Sequence, residues 1–168
     1  MATFEFIAKT VLSSTTSTIV VSSIPNTYTD LYFLASLRGS ANNENTCTVT
    51  FNSTNLLNTV QYGSGSSSGA LTNATSFLSI GLSHPGQPAN TFGTTKLYIH
   101  NYASTTKNKS ANVFSCNENT SNTSGAAFIN HGTGIALTTS AINSITFTPG
   151  SGSFVSGSSI YVYGISNA

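Results

Sequence analysis

From Thr46 to Asn52 the side chains alternate, with Cys47, Val49 and Phe51 set against Thr46, Thr48, Thr50 and Asn52. A period of two belongs to an extended strand, whose successive side chains leave opposite faces. The segment therefore reads as a half-buried antiparallel strand with a threonine-rich outer face. The same period recurs along the chain. Ile145 and Phe147 oppose Ser144, Thr146 and Thr148, and Phe4, Phe6 and Ala8 share a face opposite Glu5, Ile7 and Lys9. Leu31, Phe33, Ala35 and Leu37 oppose Tyr32, Leu34, Ser36 and Arg38. Further strands are expected at Thr18–Ser22, Phe77–Leu82, Lys96–Tyr102, Ala111–Cys116, Ala127–Ile129 and Ser159–Ile165.

Turn chemistry separates these segments at Ile24-Pro25-Asn26, Gly63-Ser64-Gly65, His84-Pro85-Gly86 and Pro149-Gly150. Proline fixes φ and glycine supplies positive φ, so such dipeptides punctuate strands. The Ser/Gly stretch from Gly63 to Gly69 reads as a loop between strands. No segment shows a capped 3.6-residue apolar stripe. About ten short strands, little or no helix and no internal repeat predict a single all-β domain over residues 1–168, an antiparallel β-sandwich.

Composition decides between this fold and disorder. Ser, Thr and Asn make up 72 of 168 residues, but Leu, Ile, Val and Phe still number 40. Disordered chains carry fewer such residues and a large net charge, whereas here the net charge is +1. Five Lys/Arg and four Asp/Glu also exclude partner classes. Five cations cannot neutralise the run of phosphates on which nucleic-acid affinity depends. No apolar run approaches the roughly 18 residues of a membrane span, and residues 1–10 lack the pattern of a signal peptide. The expectation is a protein made in a cytoplasm, with no nucleic-acid or membrane partner.

Chemistry-bearing patterns are weak. Gly65-Ser66-Ser67-Ser68-Gly69 matches the G-x-S-x-G of a nucleophile elbow, but that motif needs a buried strand before it and a helix after it. His131-Gly132-Thr133-Gly134 is equally turn-like. His84, His100 and His131 form no ligand pair, and Cys47 and Cys116 have no zinc spacing. In a reducing cytosol the two cysteines are expected to be free. Of the four carboxylates, Glu5 reads as an outward charge and Asp30 as a turn acceptor, and nothing brings either of them to Glu44 or Glu118. Lys107-Asn108-Lys109 reads as a solvated loop. The sequence therefore supports no enzyme, no cofactor and no metal site. The most suggestive surface feature is aromatic: Tyr98, His100 and Tyr102 on one strand, with Tyr161 and Tyr163 on the last. Tyrosine supplies large contact area at low entropic cost, so these five residues are the candidate interface. The alternative is that they form a second buried face.

The stretch INSITFTPGSGSFVSGSSIYVYGI, Ile142 to Ile165, resembles the C-terminal signature of small β-sandwich virion proteins of tailed bacteriophages. Ile145, Thr146, Pro149, Phe154, Gly157, Ser158, Tyr163, Gly164 and Ile165 fit that pattern. Phe147 stands where Leu is usual, and Gly152 falls one place late. YTDLYFLASLRG (Tyr28 to Gly39), VTFN (Val49 to Asn52) and LYIHNYAS (Leu97 to Ser104) also look like that family's central strands. The resemblance implies a jelly-roll-like subunit on a phage particle. The first expectation is a capsid cement (decoration) protein that binds the major capsid protein on the outer face of the head and stabilises the lattice. The alternative is a tail or head-fibre module that binds a host receptor or glycan. Bare strand edges, with almost no Lys or Glu to guard them, point to a homo-oligomer, a trimer favoured over a dimer. The resemblance carries no catalytic residue.

Overall fold

The computed structural model describes residues 3–42, 46–64, 67–74, 80–117 and 128–166. Twelve strands and no helix occur among them: β1 (Thr3–Val11), β2 (Ile19–Val21), β3 (Asp30–Leu37), β4 (Thr46–Phe51), β5 (Thr54–Ser64), β6 (Ser67–Ala74), β7 (Ile80–Gly81), β8 (Gly93–His100), β9 (Lys109–Cys116), β10 (Phe128–Ala136), β11 (Ile145–Pro149) and β12 (Ser159–Ser166). Their pairing is antiparallel throughout.

Eight of these strands form a jelly roll. In chain order β1, β2, β3 and β4 pair with β12, β11, β8 and β7, as in one long hairpin. The hairpin is wrapped, so that β12 also pairs with β3 and β11 with β4. Two sheets result, β1-β12-β3-β8 and β2-β11-β4-β7, the two-Greek-key arrangement of that fold. The hairpins β5–β6 and β9–β10 are insertions. They widen the first sheet to β1-β12-β3-β8-β9-β10-β5-β6, while the start of β5 stays paired with β4. Asn52 (φ 47) and Ser53 (φ 65) make the β4–β5 turn. Positive φ at both central residues is what a two-residue hairpin turn of the right twist requires.

Period-two patterning places the core. Leu31, Phe33, Ala35 and Leu37 of β3, Leu97 and Ile99 of β8 and Ile160 and Val162 of β12 line the large sheet's inner face. Val49 and Phe51 of β4, Ile145 and Phe147 of β11 and Ile19 and Val21 of β2 face them. Phe33 and Phe147 meet across the gap with ring centroids 6.0 Å apart. Cys47 is buried and Cys116 half-buried, and no disulfide joins them.

The structure corrects the sequence reading at several points. Phe4, Phe6 and Ala8 do not share a face. The ladder with β12 shifts between Phe6 and Ala8, so an extra residue reverses the alternation. Phe4 and Phe6 stay outside, while Ile7 and Ala8 both pack against the core. Gly63 to Gly69 is not simply a loop. Tyr62, Gly63 and Ser64 pair with Gly69, Ser68 and Ser67, because a glycine- and serine-rich segment can still form a ladder when its neighbours set the register. That pairing also removes the nucleophile-elbow geometry, since Ser67 opens a strand. The expected strand Phe77–Leu82 falls partly outside the described residues, and its described remainder is β7. Lys109, expected in solvent, is fully buried. Its ammonium donates to the carbonyls of Ser104 (2.6 Å), Lys107 (2.6 Å) and Thr139 (3.2 Å). Burial lowers its pKa below the ordinary lysine value.

Candidate functional site

The outer face of the large sheet is the chain's distinctive surface. An antiparallel sheet with one solvated side is expected to alternate apolar inside with polar outside, yet here aromatic residues stand outside as well. The registers order them into two rows that cross six strands. The first row runs Phe6, Tyr163, Tyr32, Tyr98, Asn112 and Thr133. The second runs Lys9, Tyr161, Leu34, Lys96, Phe114 and His131 through the same strands.

At the β1 end the rings interlock edge to face. Phe6 meets Tyr163 with centroids 5.9 Å apart at 70°, and Phe4 meets Tyr32 at 6.0 Å and 84°. This geometry matches positive ring edges to negative faces. Phe4 and Phe6 nevertheless remain 62% and 55% exposed. At the other end Phe114 (48% exposed) lies 6.5 Å from the exposed His131. From that end to the middle of the face runs a shallow hollow of about 140 Å³. It is lined by Tyr32, Tyr98, Lys96, Asn112, Phe114 and His131, with Val113 as its floor.

Hydrogen bonds fix the centre of the band. The Tyr98 hydroxyl donates to Asp30 Oδ2 (2.6 Å), and Asp30 Oδ1 accepts from the backbone N–H of Asn101 (2.7 Å). Asp30 is therefore an acceptor as expected, but for a neighbouring strand and the turn after it. Burial, and then the bond to Asp30, pushes the Tyr98 pKa up to about 12. His100 lies against Tyr98, centroids 4.6 Å apart, and its Nε2 is 3.2 Å from Asn112 Nδ2.

Four of the five candidate interface residues, Tyr98, His100, Tyr161 and Tyr163, belong to this face and are half-buried. Tyr102 does not. Strand β8 ends at His100 and Asn101 takes φ 48, so the chain turns and delivers Tyr102 to the core with no exposure. Its hydroxyl donates to the carbonyl of Pro25 and accepts from the N–H of Tyr28. The sequence reading missed Phe4, Phe6, Tyr32, Phe114 and His131. Tyr32 could have been found from the aromatic residues on both faces of β3, Tyr32 and Phe33; Phe4 and Phe6 on β1, Phe114 on β9 and His131 on β10 each stand on one face only and gave no such signal.

The remaining singled-out residues do not converge. His84 is buried in a turn, its Nδ1 accepting from the N–H of Gly86 (3.1 Å). Glu5 is exposed and accepts from the Tyr28 hydroxyl (2.8 Å). Glu44 and Glu118 lie outside the described residues. Among the described residues no group of three His, Cys, Asp or Glu could hold a metal ion, and no helix is long and apolar enough to cross a membrane. Comparison with protein-family models, with characterised proteins and with solved structures gives no match.

Proposed function

We propose that the protein is a structural virion component, a cement protein that docks on the outer face of a tailed-phage head. The observation that carries the reading is the uncovered aromatic end of the large sheet, Phe4, Phe6, Tyr32 and Tyr163. Interlocked rings of this kind make a preorganised contact surface, and exposed apolar patches rimmed by polar residues mark interaction sites. The resemblance of Ile142–Ile165 to phage virion proteins supplies the setting. On this reading the aromatic end meets the major capsid protein and a neighbouring copy, as a homo-oligomer with a trimer preferred. Many symmetric copies multiply weak single contacts into lattice-wide stability.

The test is co-sedimentation with expanded capsids that lack the protein. The wild-type chain should bind and raise the temperature of capsid disruption, and the double variant Phe4→Ser/Phe6→Ser should lose both effects. A wild-type chain that stays monomeric at high concentration and ignores such capsids refutes the reading. The second reading, a tail or head-fibre module for a receptor or glycan, is favoured by one observation, the aromatic hollow beside Lys96. Electron microscopy of intact particles separates the two. Density across the lattice supports cement, and density at one vertex supports the tail or fibre.

A further inference from the structure

We propose that the hollow between the two rows is a binding site for a carboxylate-bearing sugar residue of an acidic polysaccharide. The site rests on the geometry of the outer face alone and holds whether the protein sits on a head or a tail.

Size comes first. Pockets for drug-sized ligands and cofactors span about 300–1,000 Å³, and this hollow has about 140 Å³. It accepts one ring-sized unit, and its open mouth lets a longer chain continue across the sheet. The lining selects the unit's chemistry. Tyr32, Tyr98 and Phe114 line it with aromatic rings, and aromatic faces carry partial negative charge that attracts the weakly positive C–H face of a pyranose. The lining is mostly apolar, and the exposed side chains of Lys96, Asn112 and His131 border it and carry groups of the kind that bond sugar hydroxyls.

Charge then narrows the class. Two of the chain's five cations are committed to backbone carbonyls. Lys109 is caged as described, and Arg38 Nη1 donates to Pro88 O (3.0 Å) and Thr91 O (2.8 Å). Lys96 is exposed at the rim of the hollow, and no carboxylate lines that hollow. Asp30, beside Tyr98, is already engaged by the Tyr98 hydroxyl and the Asn101 N–H. Aromatic rings alone would attract a quaternary ammonium guest, but the like charge of Lys96 beside them opposes one. One charge is too few for a nucleic-acid backbone. A single carboxylate on a stacked sugar ring satisfies both features of the lining.

The probes are hexagalacturonate and the neutral cellohexaose, titrated calorimetrically into the purified protein. The wild-type chain should bind hexagalacturonate at least fivefold tighter than cellohexaose. Lys96→Gln should abolish that preference, and Phe114→Ala should weaken hexagalacturonate binding at least tenfold. Lys96 is exposed and Phe114 about half so, and a cooperative melting transition will show that each variant folds. Absence of binding at millimolar hexagalacturonate overturns the proposal, as does a preference that survives Lys96→Gln. Loss of capsid binding or of self-association in Phe114→Ala also overturns it, because the hollow then belongs to a protein contact. Failure of the cement reading is seen separately, as capsids ignored by a protein that still binds the sugar.

Discussion

Replacing Lys109 by Met removes a buried ammonium and leaves a side chain of similar length. In the wild-type chain that ammonium joins three carbonyls from two loops, Ser104 and Lys107 before β9 and Thr139 after β10. A hydrogen bond to a charged group contributes about 1.5–3 kcal/mol, so the three together are worth roughly 4.5–9 kcal/mol before costs. Against this stands the desolvation of an ammonium with no exposed surface, effectively several kcal/mol. The lowered pKa of Lys109 says that this penalty is felt in the folded state. The variant recovers the penalty but leaves three carbonyls without their donor. Ser104 is half-buried and Lys107 exposed, so water can reach part of the cage. With the recovered desolvation and the water-accessible carbonyls subtracted, the net cost comes to about 2 kcal/mol, the cost of one orphaned buried acceptor rather than three. For a chain of this length that is a fall in melting temperature of roughly 4–8 °C. Urea unfolding monitored by tyrosine fluorescence gives the free energy, and amide hydrogen exchange gives its location. Exchange should quicken in residues 103–108 and 138–141 and stay unchanged in β3 and β12. A Lys109→Met chain as stable as the wild type, or more stable, refutes the reasoning, because desolvation would then outweigh the cage.

Two further substitutions test the packing and the pH response. Tyr98 has a pKa of about 12 in the folded chain against an ordinary 10.0, so between these values the unfolded chain has lost a proton that the folded chain keeps. Its contribution to stability is complete below pH 10 and is lost as pH rises toward 12. Urea midpoints measured from pH 9 to 11.5 should fall less steeply for Tyr98→Phe than for the wild type, and equal slopes would contradict the assignment. Gly164 lies under the Tyr28 ring, and an added Cβ would stand 2.3 Å from Tyr28 Cγ. Gly164→Ala should cost about 1–3 kcal/mol by overpacking. Tyr28→Ala in the same chain should relieve most of that cost in a double-mutant cycle; additive effects would show that the two residues are not in contact.

The sandwich was legible because buried and outward residues alternate cleanly where strands are regular. β4, β8 and β11 follow the expected pattern, and the C-terminal block forms β11 and β12 with the turn between them. What local reading missed were single-residue changes of phase. The shift between Phe6 and Ala8 and the left-handed Asn101 each reverse which side the next residue takes. Two aromatic side chains therefore remained outside and Tyr102 went in. Such reversals depend on what the partner strand and the following loop require, and a period of two carries no record of them. Lys109 shows a different limit. Beside Lys107 it looks solvated, and only the meeting of two loops separated in sequence supplies carbonyls enough to enclose it. Rows built from six strands are likewise invisible along the chain, because their members come from segments spread between Phe6 and Tyr163.

The position of the last two strands bears on how the protein is made. β11 and β12 come last in the chain, yet β12 lies between β1 and β3, and β11 lies between β2 and β4. Until they arrive, β1 and β2 have none of their final neighbours, and β3 and β4 each lack one. Pairings such as Thr3 with Ser166 join the far ends of the chain, the kind of contact that makes folding slow and leaves strand edges exposed meanwhile. Neither sheet can close before Ile145–Ser166 is available, so this block acts as the closing step for both layers at once.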